Sequence, residues 1–379
     1  MALLLILFGL HAYVGWRLWP ALAFSPALQA GLLALLGASW LLMPMALWAR
    51  RVRRQPLSDR LVWVGTLLMG LFSTLFVLTL LRELLLLLLL ALAGTVLAVS
   101  PEFGADSRQI TAGGVLALAG LLTLWGLVNA RRTAAVVEVE VPIDSLPAAL
   151  HGFTIVQISD VHVGPTIKRG YVQAIVERVN SLQADLVAVT GDLVDGPVHE
   201  LASHVAPLAT LSSRHGTYFV TGNHEYYSGA DAWVVELRRL GLCVLMNEHV
   251  LLQHEGESVV LAGVSDFSAH HFDAAQRSDP HGAMAGAPTT TFLRVLLAHQ
   301  PRSAAAAALA GYHLQLSGHT HGGQFLPWNF LVRLQQPFTS GLNRLHSLWV
   351  YTSRGTGYWG PPMRLGAPSE ITHLRLVPA

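Results

Sequence analysis

From Met1 to about Ala130 the chain is almost continuously apolar, a stretch too long and too oily to serve as the core of an ordinary water-soluble domain. Spans of about 20 apolar residues cross the hydrocarbon of a bilayer as helices. The spans expected here are Leu3 to Pro20, Leu28 to Trp48, Leu61 to Leu81 with a continuation through Leu84 to Val99, and Ala112 to Ala130. No basic segment precedes the first span and others follow it, so it reads as an anchor rather than a signal peptide. The leucine run Leu84 to Leu90 lacks heptad spacing and reads as membrane or buried helix, not as a zipper. With 52% hydrophobic and 12% charged residues, the 379-residue chain is expected to be a multi-pass protein of the cell membrane, in contact with the lipid bilayer.

The number of spans decides which side the rest of the chain occupies. A hairpin at Arg82-Glu83 would make five spans, but two residues are a very short loop between helices, so four are expected. The arginine-rich stretch Arg50-Arg51-Val-Arg53-Arg54 belongs in the cytoplasm by the positive-inside rule, which places the N-terminus there too. Four spans then return the chain to the cytoplasm, where Arg131-Arg132 also satisfies the rule.

Beyond Arg132 the composition becomes that of a globular domain, giving expected units of 1–132 (transmembrane) and 133–379. Val137, Val139 and Val141 alternate with Glu138 and Glu140, the period of a strand with one wet face. Strand-like runs follow at Phe153–Ile158, Asp185–Thr190, Tyr218–Thr221, Val259–Val264, Leu293–Ala298, His313–Leu316 and Leu348–Thr352. Helical stretches lie near Tyr171–Leu182 and Trp233–Leu240. The alternation predicts a layered α/β domain. A formal net charge of +1 gives no general electrostatic case for nucleic-acid binding, and no local basic motif supplies one. The single cysteine, Cys243, sits in an apolar run and is expected to be a buried small hydrophobe.

Five short motifs carry chemistry: Asp160-Val-His162, Gly191-Asp192-Leu-Val-Asp195, Gly222-Asn223-His224-Glu225, Ala298-His299-Gln300 and Gly318-His319-Thr-His321. Each begins where a predicted strand stops, the edge of an α/β sheet at which ligands collect. Their Asp, Asn and His side chains form an oxygen and nitrogen donor set suited to Mn, Fe, Zn or Mg. A carboxylate can join two cations, whereas an imidazole or an amide oxygen binds one. A hydrolytic centre with two divalent metal ions is the expected chemistry.

In this order the motifs resemble the calcineurin-like metallophosphoesterase superfamily over about Phe153 to Gln324. Gly318-His-Thr-His-Gly-Gly-Gln324, Ser353-Arg-Gly-Thr-Gly357 and Glu370 are similar to a membrane-linked bacterial branch. The resemblance implies a four-layer β-sandwich flanked by helices, here following N-terminal transmembrane helices. It implies that Asp160, His162 and His321 hold one metal and that Asn223, His299 and His319 hold the other, with Asp192 bridging. It further implies a metal-bound hydroxide as nucleophile and His224 as the catalytic group facing the scissile phosphate. Glu225 is expected to fix the His224 imidazole, Asp195 to support the ligands, and Arg354 to grip phosphate.

The expected function is hydrolysis of a phosphomonoester or phosphodiester, on a lipid or envelope substrate if the tether reflects the substrate's location. The rival readings are a nucleotide-sugar or nucleotide diphosphate hydrolase, and a transport or signalling protein with a regulatory metal domain. Phe325, Trp328, Phe330 and Leu331 are expected to pack on the core or on the membrane helices in preference to dipping into the membrane interface to admit an amphipathic substrate. His199, His204, His249, His254, His313 and His373 are expected to be structural or exposed, and His270 and His271 loop residues.

Overall fold

The structure is a computed structural model that describes residues 2–49, 55–96 and 101–379. The stretch Arg50 to Arg54, on which the orientation argument rests, lies outside the described residues. Two compact units emerge. One comprises Met1–Arg131 with the short segments Phe325–Pro327 and Gly360–Leu365; the other comprises Arg132–Gln324, Trp328–Trp359 and Gly366–Ala379.

The first unit is helical: α1 (Ala2–Leu18), α2 (Pro26–Trp48), α3 (Leu57–Val96) and α4 (Pro101–Arg131). Among the described residues three helices are long and apolar enough to cross a membrane, over Pro26–Trp48, Leu57–Leu92 and Asp106–Arg131. The 17-residue α1 would extend about 25 Å. Its packing joins the others through Val14, Leu18, Leu32, Leu36, Phe72, Leu75 and Val115. Large apolar side chains such as Leu5, Trp16, Leu87 and Trp125 face outward, the all-round apolarity expected of helices solvated by lipid.

The hairpin alternative at Arg82-Glu83 is overturned, because α3 runs unbroken through both residues. The pair is tolerated there because its charges find partners on other helices. Arg82 donates to Thr111 Oγ1 and to the Arg108 carbonyl, both at 3.0 Å, and Glu83 pairs with Arg17 as well as with Arg82.

The second unit is a sandwich of two six-stranded sheets. One has the order β1 (Ala135–Ile143), β12 (Glu370–Pro378), β2 (Thr154–Ile158), β3 (Leu186–Val189), β4 (Thr217–Phe219), β5 (Cys243–Val244). The other runs β10 (Gly341–Leu345), β11 (Leu348–Thr352), β9 (Leu314–Ser317), β8 (Leu293–Leu297), β7 (Glu257–Gly263), β6 (Glu248–His254). A shared core between the sheets includes Ile155, Leu186, Ala188, Leu261, Val295 and Leu316. Helices α5 (Arg169–Asn180), α6 (Val198–Val205), α7 (Asn223–Ser228) and α8 (Ala230–Arg239) lie in the connections of the first sheet. Helix α9 (Ala304–Leu309) joins β8 to β9, and the short α10 (Trp328–Leu331) follows β9.

Strands β2 to β5 are parallel, as are β7, β8, β9 and β11. Parallel strands align their carboxyl ends, so the loops after β2, β3, β4, β8 and β9 gather at one rim. β12 slots between β1 and β2, parallel to the former and antiparallel to the latter. Cys243 is exposed rather than buried, because its strand β5 is a two-residue edge whose outward position it occupies. Phe325 is buried, but Trp328, Phe330 and Leu331 are exposed instead of packing on a core.

Candidate metal centre

The loop after β2 carries Asp160 and His162, and the loop after β3 carries Asp192 and Asp195. Asn223 and His224 open α7 after β4, His299 follows β8, and His319 and His321 follow β9. All seven residues expected as ligands lie at this rim. Five of them, Asp160, His162, Asp192, His319 and His321, have positive φ between 50° and 72°. Non-glycine residues adopt that conformation at a cost of about 1–3 kcal/mol each, and such strain concentrates where side chains must converge. Gly191 is required for two reasons. Its φ is +86°, and a Cβ there would come within 2.6 Å of the Gly222 nitrogen and 2.8 Å of His299 Nδ1. At Gly318 a Cβ would collide with Ser159 and Asp160.

Two clusters result. In the first, His162 Nε2 is 3.0 Å from His321 Nε2, which is 3.5 Å from Asp160 Oδ1. In the second, His299 Nε2 is 3.2 Å from His319 Nδ1 and 3.2 Å from Asp192 Oδ2. The same Asp192 oxygen lies 3.9 Å from His162 Nε2 and 4.0 Å from His224 Nε2, so this carboxylate stands between the two clusters.

The ring nitrogens turned away from the centre are engaged. His299 Nδ1–H donates to the Thr190 carbonyl at 2.8 Å, and His162 Nδ1–H donates to Asp195 at 3.1 Å. With Nδ1–H engaged in this way, Nε2 of each ring is the atom turned inward, and it is the atom that would ligate a metal in place of a proton. Asn223 Oδ1 is buried with no hydrogen-bond partner, an orphan acceptor beside these imidazoles. Converging lone pairs, a central carboxylate and an unsatisfied amide oxygen fit divalent cations well.

The clustered carboxylates and imidazoles shift one another's charges, and a cation bound there would take the place of the proton on His299. Burial alone would raise the Asp192 carboxyl, but His299, His224 and His162 hold it well below the usual carboxylate range. Burial would lower His299, yet the Asp192 charge and hydrogen bond pull it well above the ordinary histidine value. His319 goes the other way, lowered to about 3 by burial and by the neighbouring His299. Burial raises Asp160. His224 resists burial and is pushed up to about 9 by Asp192 and by its bond to Asp195.

Two expected supporting roles change. Glu225 does not touch the His224 imidazole. It occupies the third position of α7, from which the side chain folds back over the helix N-terminus. Oε2 accepts from the N–H groups of Gly222 (2.6 Å) and Asp192 (2.9 Å), and Oε1 from those of Leu193 (2.7 Å) and Val194 (3.3 Å). The partner of His224 is Asp195, whose Oδ1 lies 2.6 Å from Nδ1. Arg354 is likewise engaged elsewhere, its Nε bonded to the buried Glu370 at 2.6 Å, which ties its loop to the start of β12.

Sequence reasoning did not single out the aromatic rim. Tyr227 and Trp359 meet the His224 ring edge-on at 5.2 and 5.8 Å, and Phe272 packs on Tyr227 at 5.6 Å. All three are exposed. Gln324 holds Trp359 by reciprocal bonds to its backbone, at 2.8 and 2.9 Å. The only signal in the sequence is adjacency, since Tyr227 follows the Gly-Asn-His-Glu motif and Trp359 follows the late glycine-rich loop.

The family described as Calcineurin-like phosphoesterase matches residues 153–323. An uncharacterized metallophosphoesterase of Campylobacter jejuni is 34% identical over 264 residues, 69% of this chain and 68% of that protein. The chain belongs to the calcineurin-like metallophosphoesterase family. It is also similar to proteins called transmembrane protein with metallophosphoesterase domain. The one from Danio rerio is 40% identical over 69% of this chain and 61% of its own length, and the one from Bos taurus 42% over 68% and 60%. The chain thus spans about three fifths of the length of these two relatives.

Proposed function

We propose that this metallophosphoesterase is a membrane-anchored hydrolase of phosphoesters with a dinuclear metal centre. The observation that carries the reading is the position of Asp192 Oδ2, within 4.0 Å of imidazoles from both clusters and of His224. Asp160, His162 and His321 would hold one ion, Asn223, His299 and His319 the other, and Asp192 would face both. Two divalent ions at such a centre supply an activated water and a cationic clamp for phosphoryl oxygens.

The remaining work falls to the chain. Asp195 accepts a hydrogen bond from the Nδ1–H of His224, which leaves Nε2 directed to the centre. The Asp195 carboxylate bonded to Nδ1 favours the protonated imidazole, which can donate from Nε2 to the leaving oxygen. The exposed ring edges of Tyr227, Trp359 and Phe272 offer an apolar wall to the leaving group. Exposed Trp328, Phe330 and Leu331 on the same unit suit an amphipathic surface, which supports a substrate held in a membrane. Under the orientation argued from the arginine-rich loops, the domain faces the cytoplasm.

The test is hydrolysis by the Mn-loaded chain of a lipid phosphoester in vesicles, of a nucleotide-sugar and of generic mono- and diesters. His224→Ala is expected to slow turnover about 10²–10⁴-fold for poor alcohol leaving groups. It should matter far less for nitrophenolate, which needs no proton. Equal loss on both leaving groups would remove the acid role. Faster turnover of the nucleotide-sugar than of the vesicle lipid would favour the soluble substrate instead.

A further inference from the structure

At the rim opposite the metal motifs, three more donors meet. Asp185 directly precedes β3 and His215 lies just before β4, both on the first sheet. His254 is the last residue of β6 on the second sheet, which runs antiparallel to β7 and so ends at the rim where the parallel strands begin. His215 Nε2 is 3.0 Å from His254 Nδ1, and His254 Nδ1 is 3.9 Å from Asp185 Oδ1. One donor atom from each residue lies within 4.8 Å of the other two.

The three side chains are held in place by groups that leave those atoms facing one another. Asp185 Oδ2 accepts from the Thr154 N–H and the Thr154 hydroxyl, both at 2.9 Å, which directs Oδ1 at His254. Phe153 stacks on His215 at 5.9 Å and meets His254 edge-on at 4.8 Å, fixing both rings. Burial, His254 and Arg214 lower His215 from its ordinary value, which favours the neutral ring a metal requires. The nearest cation is Arg214, 4.0 Å from Asp185 Oδ1 but drawn outward to Glu255 at 2.6 Å.

We propose that Asp185, His215 and His254 form a separate site for one zinc-like divalent ion, which clips the two sheets together. Ligand bonds of about 2.0–2.2 Å in a tetrahedron set donors about 3.3 Å apart. Separations of 3.0 and 3.9 Å need only small rotamer adjustments to reach that. Two imidazoles and one carboxylate leave the fourth position to water, and His215 is exposed enough to admit it.

The probe is cobalt(II), added to the detergent-solubilised full chain after chelation and followed by its ligand-field absorption. Asp192→Ala with His299→Ala removes the family centre, so that any remaining tetrahedral signal reports this site. One equivalent should persist in that background and disappear when His254→Ala is added. Asp185→Asn keeps an acceptor for the Thr154 N–H and so spares the fold, yet it should weaken binding by more than roughly tenfold. Zinc should raise the melting temperature of the background protein but not of the His254→Ala protein. In the otherwise native chain, Asp185→Asn should lower the zinc count by one ion while the family centre stays loaded. A background protein that binds no cobalt, or a signal that survives both His254→Ala and Asp185→Asn, would reduce the cluster to a hydrogen-bonded histidine pair. Either result leaves the reading of the family centre untouched.

Discussion

Glu225→Gln is a near-isosteric change whose cost can be worked from four hydrogen bonds. Burial and the Asp192 charge push the Glu225 carboxyl up to about 8, but the geometry favours the ionised form. Both oxygens face backbone N–H donors, and none of those neighbours could accept a carboxylic proton. In the glutamine variant the amide oxygen can replace one carboxylate oxygen, most favourably Oε2 with its 2.6 and 2.9 Å bonds. The amide NH₂ then confronts the N–H groups of Leu193 and Val194 inside a fully buried pocket. Two lost bonds to a charged acceptor cost about 1.5–3 kcal/mol each, and the long Val194 bond places the sum near 3–4 kcal/mol. For a unit of this size that lowers the melting temperature by about 6–16 °C. Intrinsic fluorescence of the full chain in detergent, scanned with and without Mn, identifies the relevant transition as the one the metal raises. A Glu225→Gln transition within about 2 °C of the native one would refute the clasp assigned to this carboxylate.

Asp195→Asn removes one of the carboxylates that hold His224 protonated, the one bonded to its Nδ1. Turnover that needs the imidazolium should fall as pH rises through about 9 in the native chain, and the variant's limb should lie at lower pH. An unmoved limb would remove Asp195 from that role. Arg354→Ala should leave KM for anionic substrates nearly unchanged, yet destabilise by about 1–3 kcal/mol because the buried Glu370 loses a charged hydrogen-bond donor. A large rise in KM with intact stability would restore Arg354 as a phosphate contact. Trp359→Ala should raise KM for substrates with bulky apolar leaving groups and spare small ones, a comparison of two substrates under the same metal load.

The centre was legible in the sequence because each ligand directly follows a strand, and parallel strands bring their ends to one rim whatever lies between them. Supporting roles were less so. Glu225 stands next to His224 in sequence, but helix geometry sends its side chain back over the loop after β3. Arg354 and Glu370 pair across the long irregular connection from β11 to β12, whose path no local pattern reveals. The position of β12 between β1 and β2 depends on pairing across more than 200 residues. Continuity of α3 through Arg82-Glu83 was ambiguous for a similar reason, since its partners Arg17 and Thr111 lie on other helices. Asp185 and His215 come from two loops and His254 from the end of β6, without a shared motif, and only the sandwich brings them together.

The most direct measurement compares hydrolysis of a generic phosphodiester by the Mn-reconstituted chain with that by the chelator-treated chain and by Asp192→Ala. A bridging Asp192 predicts turnover that chelation abolishes and Mn restores, and that Asp192→Ala lacks at any Mn concentration. Undiminished turnover in the Asp192→Ala protein would contradict a dinuclear centre built around that carboxylate.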